Sequence, residues 1–197
     1  MKKSFKFLCG FMAVLMATLA LTACGGGASV DSGYWTRNTY ANESIGITFD
    51  VPAGWNRVSG ADFGTVLEVG SEASDIPANA WTDDELLVFA AASSESEMST
   101  VIIGAERASG RVSASRSLNL IVDELEAGGM TARRVPGTTR IGEHDWYLIE
   151  AEMEMFGITM LSHTYFRAQG RYGISIIIVT VDMAGVETPA QILRMFD

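Results

Sequence analysis

Cysteine is almost missing from this chain: of 197 residues only Cys9 and Cys24 carry a thiol. Both lie in or beside the N-terminal apolar stretch, so a disulfide framework and a zinc site built from several cysteines are excluded. Lysine is absent after Lys6, and every later basic residue is arginine. There are two histidines, His144 and His163, and four prolines. Acidic residues outnumber basic ones 24 to 14, and no cluster of positive charge appears. Nucleic acid is therefore not an expected partner, because its phosphates demand a basic surface. Electrostatic docking on anionic lipid is disfavoured for the same reason. The chain has no internal repeat and no Gly-x-Ser-x-Gly nucleophile elbow.

The N-terminus is the informative part. Lys2, Lys3 and Lys6 precede an apolar run from Phe7 to Leu21, the layout of a secretory signal peptide and too short for a comfortable membrane span. Leu21-Thr22-Ala23-Cys24 follows and resembles a bacterial lipobox. That resemblance implies a diacylglyceryl group on the sulfur of Cys24 and cleavage before it. Gly25-Gly26-Gly27 then supplies a flexible exit from the bilayer. Two or more acyl chains make a lasting anchor where a single chain does not. The expected location is the extracytoplasmic face of a bacterial cell membrane, with the bilayer as a partner through lipid at Cys24. Cys9 would leave with the signal and Cys24 would be acylated, so the mature chain would hold neither a disulfide nor a cysteine nucleophile.

Removal of residues 1–23 leaves 174, enough for one domain with its own core. It takes three basic residues and no acidic ones, moving the formal charge from −10 to −13. Residues 24–39 read as a tether of small and polar residues, about 20 Å from end to end. Tyr34 and Trp35 interrupt it. Residues 40–197 read as the folded domain.

Within the domain, Ile45–Val51 alternates as a half-buried strand and Pro52-Ala53-Gly54 turns before Trp55. A short helix is expected over 60–70. Leu86–Ala91 is ambiguous: Thr82-Asp83-Asp84-Glu85 resembles a helix start, but a strand pairing with Thr100–Ala105 across a Ser-rich loop fits better. The strongest helix signal covers Ser117–Ala127: Leu118, Ile121, Val122 and Leu125 share one face, and Gly128-Gly129 ends it. Five strands follow, Thr131–Val135, Thr138–Ile141, Asp145–Glu154, Ile158–Ala168 and Tyr172–Val181. Their short separators predict an antiparallel meander. The nearly unbroken apolar run Ile174–Val181 belongs at the centre of the sheet. Thr188-Pro189 opens a last helix with Ile192, Leu193 and Phe196 inward.

Tyr40-x-Asn42-x3-Gly46-Ile47-x-Phe49-x2-Pro52-x-Gly54-Trp55 is similar to the opening of PsbP-like domains, among them many bacterial lipoproteins. The resemblance implies an α+β fold, a curved antiparallel sheet flanked by helices in an α/β/α sandwich. It carries over no catalytic residue and no cofactor, since such folds mostly serve as binding or assembly modules.

Candidate sites are few. Glu150, Glu152 and Glu154 stand at period two, so a strand puts all three on one side. Such a row could bind Ca²⁺ or a basic partner; as a solvated strand face it would simply back a core of Tyr147, Ile149, Ala151 and Met153. His144 sits in an expected turn and His163 on a strand. Trp55 and Trp146 suit a core, whereas Trp81, in a polar stretch, suits a surface contact. The expected function is a lipid-anchored, non-enzymatic binding or assembly module with an envelope protein partner. The alternative is an envelope hydrolase or metal-dependent enzyme using the glutamate row with a histidine.

Overall fold

A computed structural model describes residues 30–58, 86–96, 98–155 and 157–197. Cys24, Trp81 and the helix expected over 60–70 lie outside the described residues.

Eleven strands and two helices make up the described chain: β1 Tyr34–Thr36, β2 Thr39–Asn42, β3 Ile47–Asp50, β4 Trp55–Arg57, β5 Leu86–Ser94, β6 Ser99–Arg107, α1 Ala114–Ala127, β7 Thr131–Arg134, β8 Thr139–Ile141, β9 His144–Met155, β10 Ile158–Gln169, β11 Tyr172–Val181 and α2 Pro189–Ile192. A single 3-10 turn, Leu193–Met195, continues α2. The main sheet is antiparallel in the order β4-β5-β6-β11-β10-β9-β7, with β8 also on β9. A separate sheet has the order β1-β2-β3.

The apolar pattern explains the layering. Along β11 nearly every side chain is buried, so the sheet must be covered on both faces. Ile177 and Val179 face α1, where Leu118, Ile121 and Leu125 join Ile102, Ile149, Ala151 and Phe166. Ile174, Ile176 and Ile178 face the other way, towards Tyr40, Ile45, Ile47 and Phe49 of the small sheet region, with Trp146, Ile192 and Phe196. Each buried Ile or Leu on these faces contributes about 1.5–3 kcal/mol.

This corrects the expected α/β/α sandwich. The fold is mostly β, and it is not flanked by helices on both sides. One face carries α1; the other is covered mainly by the three-stranded sheet. The reason is local. Val30 already packs into the second core, and β2 and β3 pair with each other instead of joining the main sheet. The final helix is one turn long. A capping box between Thr188 and Gln191 starts it, but the chain then extends to bridge Phe196 with Phe49, their rings stacked at 4.6 Å.

Other expectations fare unevenly. β5 and β6 pair as expected, with a bulge between Val88 and Ala90. Helix α1 spans the expected stretch and closes on Gly129 at φ +85°, where the Met130 amide donates to the Leu125 carbonyl. The meander holds from β8 through β11. It fails at β7 and β8, which do not pair with each other. They lie end to end along one edge of β9. The Pro136-Gly137 step, with Gly137 at φ +87°, interrupts one edge strand and does not reverse it. β1 lies within the stretch read as tether; Trp35 packs on Tyr40 at 5.4 Å and the Arg57 guanidinium sits 5.0 Å over the Trp35 ring.

Candidate functional site

The glutamate row lies on β9, near the edge of the main sheet, on the side shared with Trp146. Ile149 and Ala151 on the opposite side are buried in the α1 core, as the period-two reading requires. Tyr147 departs from it at 38% exposed. The three glutamates are not equivalent. Glu152 and Glu154 are exposed, whereas Glu150 is half-buried.

Register decides what Glu150 meets. It stands opposite Arg133 on β7 and opposite His163 on β10, so three neighbouring strands contribute one row across the sheet. An Arg133 Nη2–Glu150 Oε2 ion pair closes one side. On the other, His163 Nε2 is 3.8 Å from Glu150 Oε1, and His163 Nδ1 is 3.5 Å from the Tyr165 hydroxyl.

Electrostatics follow from this burial. Burial lowers the pKa of His163; the Glu150 charge opposes that shift and Arg133 adds to it, so the imidazole is held neutral at neutral pH. Burial, helped by the Glu150 charge, pushes the Tyr165 hydroxyl up to about 12. Tyr165 is therefore a proton donor and a poor nucleophile. The row can hold a carboxylate between two cationic or donating groups. Among the described residues no set of three or more acidic, histidine or cysteine side chains could hold a metal ion.

His144 is not brought to this row. It opens β9, six residues before Glu150 and so about 20 Å along the strand. Its ring packs on Gly46, where an added Cβ would come within 2.9 Å of Nε2. Burial, followed by the nearby Arg167 charge, lowers its pKa. Trp146, expected in the core, is fully buried, with Nε1 donating to the Ile141 carbonyl at 3.2 Å. Trp55 is partly buried against the second core.

A second feature is a groove of about 700 Å³ whose lining includes Tyr34, Glu43, Thr48, Arg140, Glu143 and Asp197. It contains none of the glutamate row and neither histidine. Arg133, Tyr165 and the groove were not anticipated. Arg133 and Arg134 both lie on β7, and only the register of β7 on β9 identifies Arg133 as the partner of Glu150.

No helix among the described residues is long and apolar enough to cross a membrane. No known protein-family model matches the chain, so the PsbP-like resemblance gains no support there, and no curated protein matches it either. The solved structures that are similar in part include the following two. One is a Bacteroides thetaiotaomicron VPI-5482 protein, 13% identical, with a TM-score of 0.38, over 78% of this chain and 45% of that one; the match thus spans less than half of that protein's length. The other is LpqN of Mycobacterium tuberculosis, a protein involved in cell envelope biogenesis, 11% identical, with a TM-score of 0.34, over 69% of this chain and 71% of that one. Likeness at this level carries no functional argument for this chain.

Proposed function

We propose that this protein is a lipoprotein held on the extracytoplasmic face of a bacterial membrane through acyl chains on Cys24, and that it works there by binding an envelope partner and not by catalysis. The observation that carries the reading is Leu21-Thr22-Ala23-Cys24 placed directly after a basic, then apolar leader. The geometry supports binding over catalysis in two ways. The Glu150 carboxylate is already engaged by Arg133, and the hydroxyl 3.5 Å from His163 Nδ1 belongs to Tyr165, which burial keeps protonated.

Metabolic labelling with an alkyne fatty acid tests the anchor. The wild-type chain incorporates label and fractionates with membranes, whereas Cys24→Ser does neither; persistent labelling of that variant overturns the anchor. Detergent extraction and affinity capture test the rest. A partner recovered equally with wild type and with a Glu150→Gln, His163→Ala double variant fits a binding module; a substrate turned over by wild type and spared by the double variant refutes it.

A further inference from the structure

We infer that the anchor fixes how the domain stands on the membrane: the end carrying the Asn42–Gly46 turn and the groove faces the bilayer headgroups, and the β9–β10 hairpin tip faces away. This rests on the proposed acylation of Cys24.

Val30 packs into the second core. The Asp31 amide donates to Ser44 Oγ at 3.0 Å, Asn42 Nδ2 donates to the Asp31 carbonyl at 2.9 Å, and the Tyr40 hydroxyl donates to the Ser32 carbonyl at 3.0 Å. The chain is thus fastened to the turn after β2 from residue 31 onward. Only six peptide units separate Cys24 from Val30, and fully extended they span about 21 Å. The tether is much shorter than the composition suggests.

That turn sits at one end of the main sheet. Gln169 Nε2 donates to the Ser44 carbonyl at 2.9 Å, and Arg167 Nη2 donates to the Ile45 carbonyl at 3.0 Å, so the turn is clamped to the C-terminal end of β10. The N-terminal end of β10 is the hairpin tip at Ile158. Met183 lies there too, since the Asp182 amide donates to the Thr159 carbonyl at 2.8 Å. β10 has 12 residues and is therefore about 36 Å long. An inverted domain, standing on its hairpin, would lift residue 30 about 36 Å from the surface, beyond the reach of the tether. Standing on the anchored end keeps residue 30 within that reach. The groove lined by Glu43 and Arg140 then opens at headgroup level, and the exposed Ile158 and Met183 side chains, 42% and 47% accessible, are offered to the space beyond.

The test uses the full lipidated chain. With Cys9 removed and Cys24 acylated, an introduced cysteine is the one free thiol. Glu43→Cys and Met183→Cys are labelled with a fluorophore and reconstituted in phosphatidylcholine–phosphatidylglycerol vesicles carrying a headgroup nitroxide. Quenching several-fold stronger at position 43 than at 183 is expected, and a Gly-Ser insertion between Gly27 and Ala28 should bring the two together. Equal or reversed quenching in the uninserted chain overturns the orientation, and quenching unchanged by the insertion overturns tether length as its cause. Intact mass reports the anchor separately: a chain without lipid, left unbound by vesicles, refutes the acylation reading on its own.

Discussion

Glu124 lies on α1 with its Oε2 buried and without a hydrogen-bond partner among the described residues. Burial, reinforced by the neighbouring Asp123 charge, pushes its pKa from 4.5 up to about 7. A folded-state value above the unfolded one means that the native chain holds its proton more tightly. Stability is then greatest below pH 4.5, falls as pH rises between 4.5 and 7, and levels off above 7. At about 1.4 kcal/mol per pKa unit the ceiling is about 3 kcal/mol, and partial exposure screens this to about 1–2 kcal/mol. Glu124→Gln removes the titration while leaving a polar group in place. In a soluble Cys24→Ser chain, melting followed by circular dichroism at pH 4.5 and pH 8 should show the variant gaining on the parent as pH rises. At about 2–4 °C per kcal/mol for a domain of this size, the relative gain is about 2–8 °C. His163, whose lowered pKa costs stability below about pH 6.5, is present in both chains and cancels in the comparison. Parallel melting curves across the whole range would refute the burial of an uncompensated carboxylate at this position.

Three further outcomes follow from the geometry. Proton NMR titration of the imidazole should show the pKa of His163 falling further in Glu150→Gln and rising in Arg133→Ala, in line with the sign of each charge; an unmoved titration in both would break up the row. Asn42 is fully buried, donates to the Asp31 carbonyl and the Tyr40 hydroxyl, and accepts from Ser44 Oγ and the Ile45 amide, so Asn42→Ala should cost about 1–3 kcal/mol in urea unfolding and raise hydrogen exchange at residues 31–33. Gly104→Ala would place a Cβ 2.9 Å from the Leu87 carbonyl oxygen beside the β5 bulge and should cost about 1–3 kcal/mol; a neutral effect would mean that the strands separate there without penalty.

Local pattern was enough for much of the main sheet. The long strands end at glycines with positive φ, such as Gly157 and Gly170, a preference of the glycine backbone itself. The unbroken apolar run of β11 announces a central, doubly covered strand, because no exposed face could be so apolar. Helix α1 was legible from its 3.6-residue stripe and glycine stop.

What covers the second face of the sheet was a tertiary decision. Tyr40, Ile47 and Phe49 are apolar enough for a strand in either sheet, and only packing against Ile174, Ile176 and Ile178 shows that they form a sheet of their own. The same holds for the candidate site. Period two placed Glu150, Glu152 and Glu154 on one side, a property of a single strand. Pairing Glu150 with Arg133 and His163 required the registers of β7 and β10 on β9, and strand register arises between segments, where no one segment encodes it. The leader and Cys24 stand at the opposite limit: basic residues, an apolar run and a small-residue stop are read as a linear string, so composition and order carried that inference without any fold.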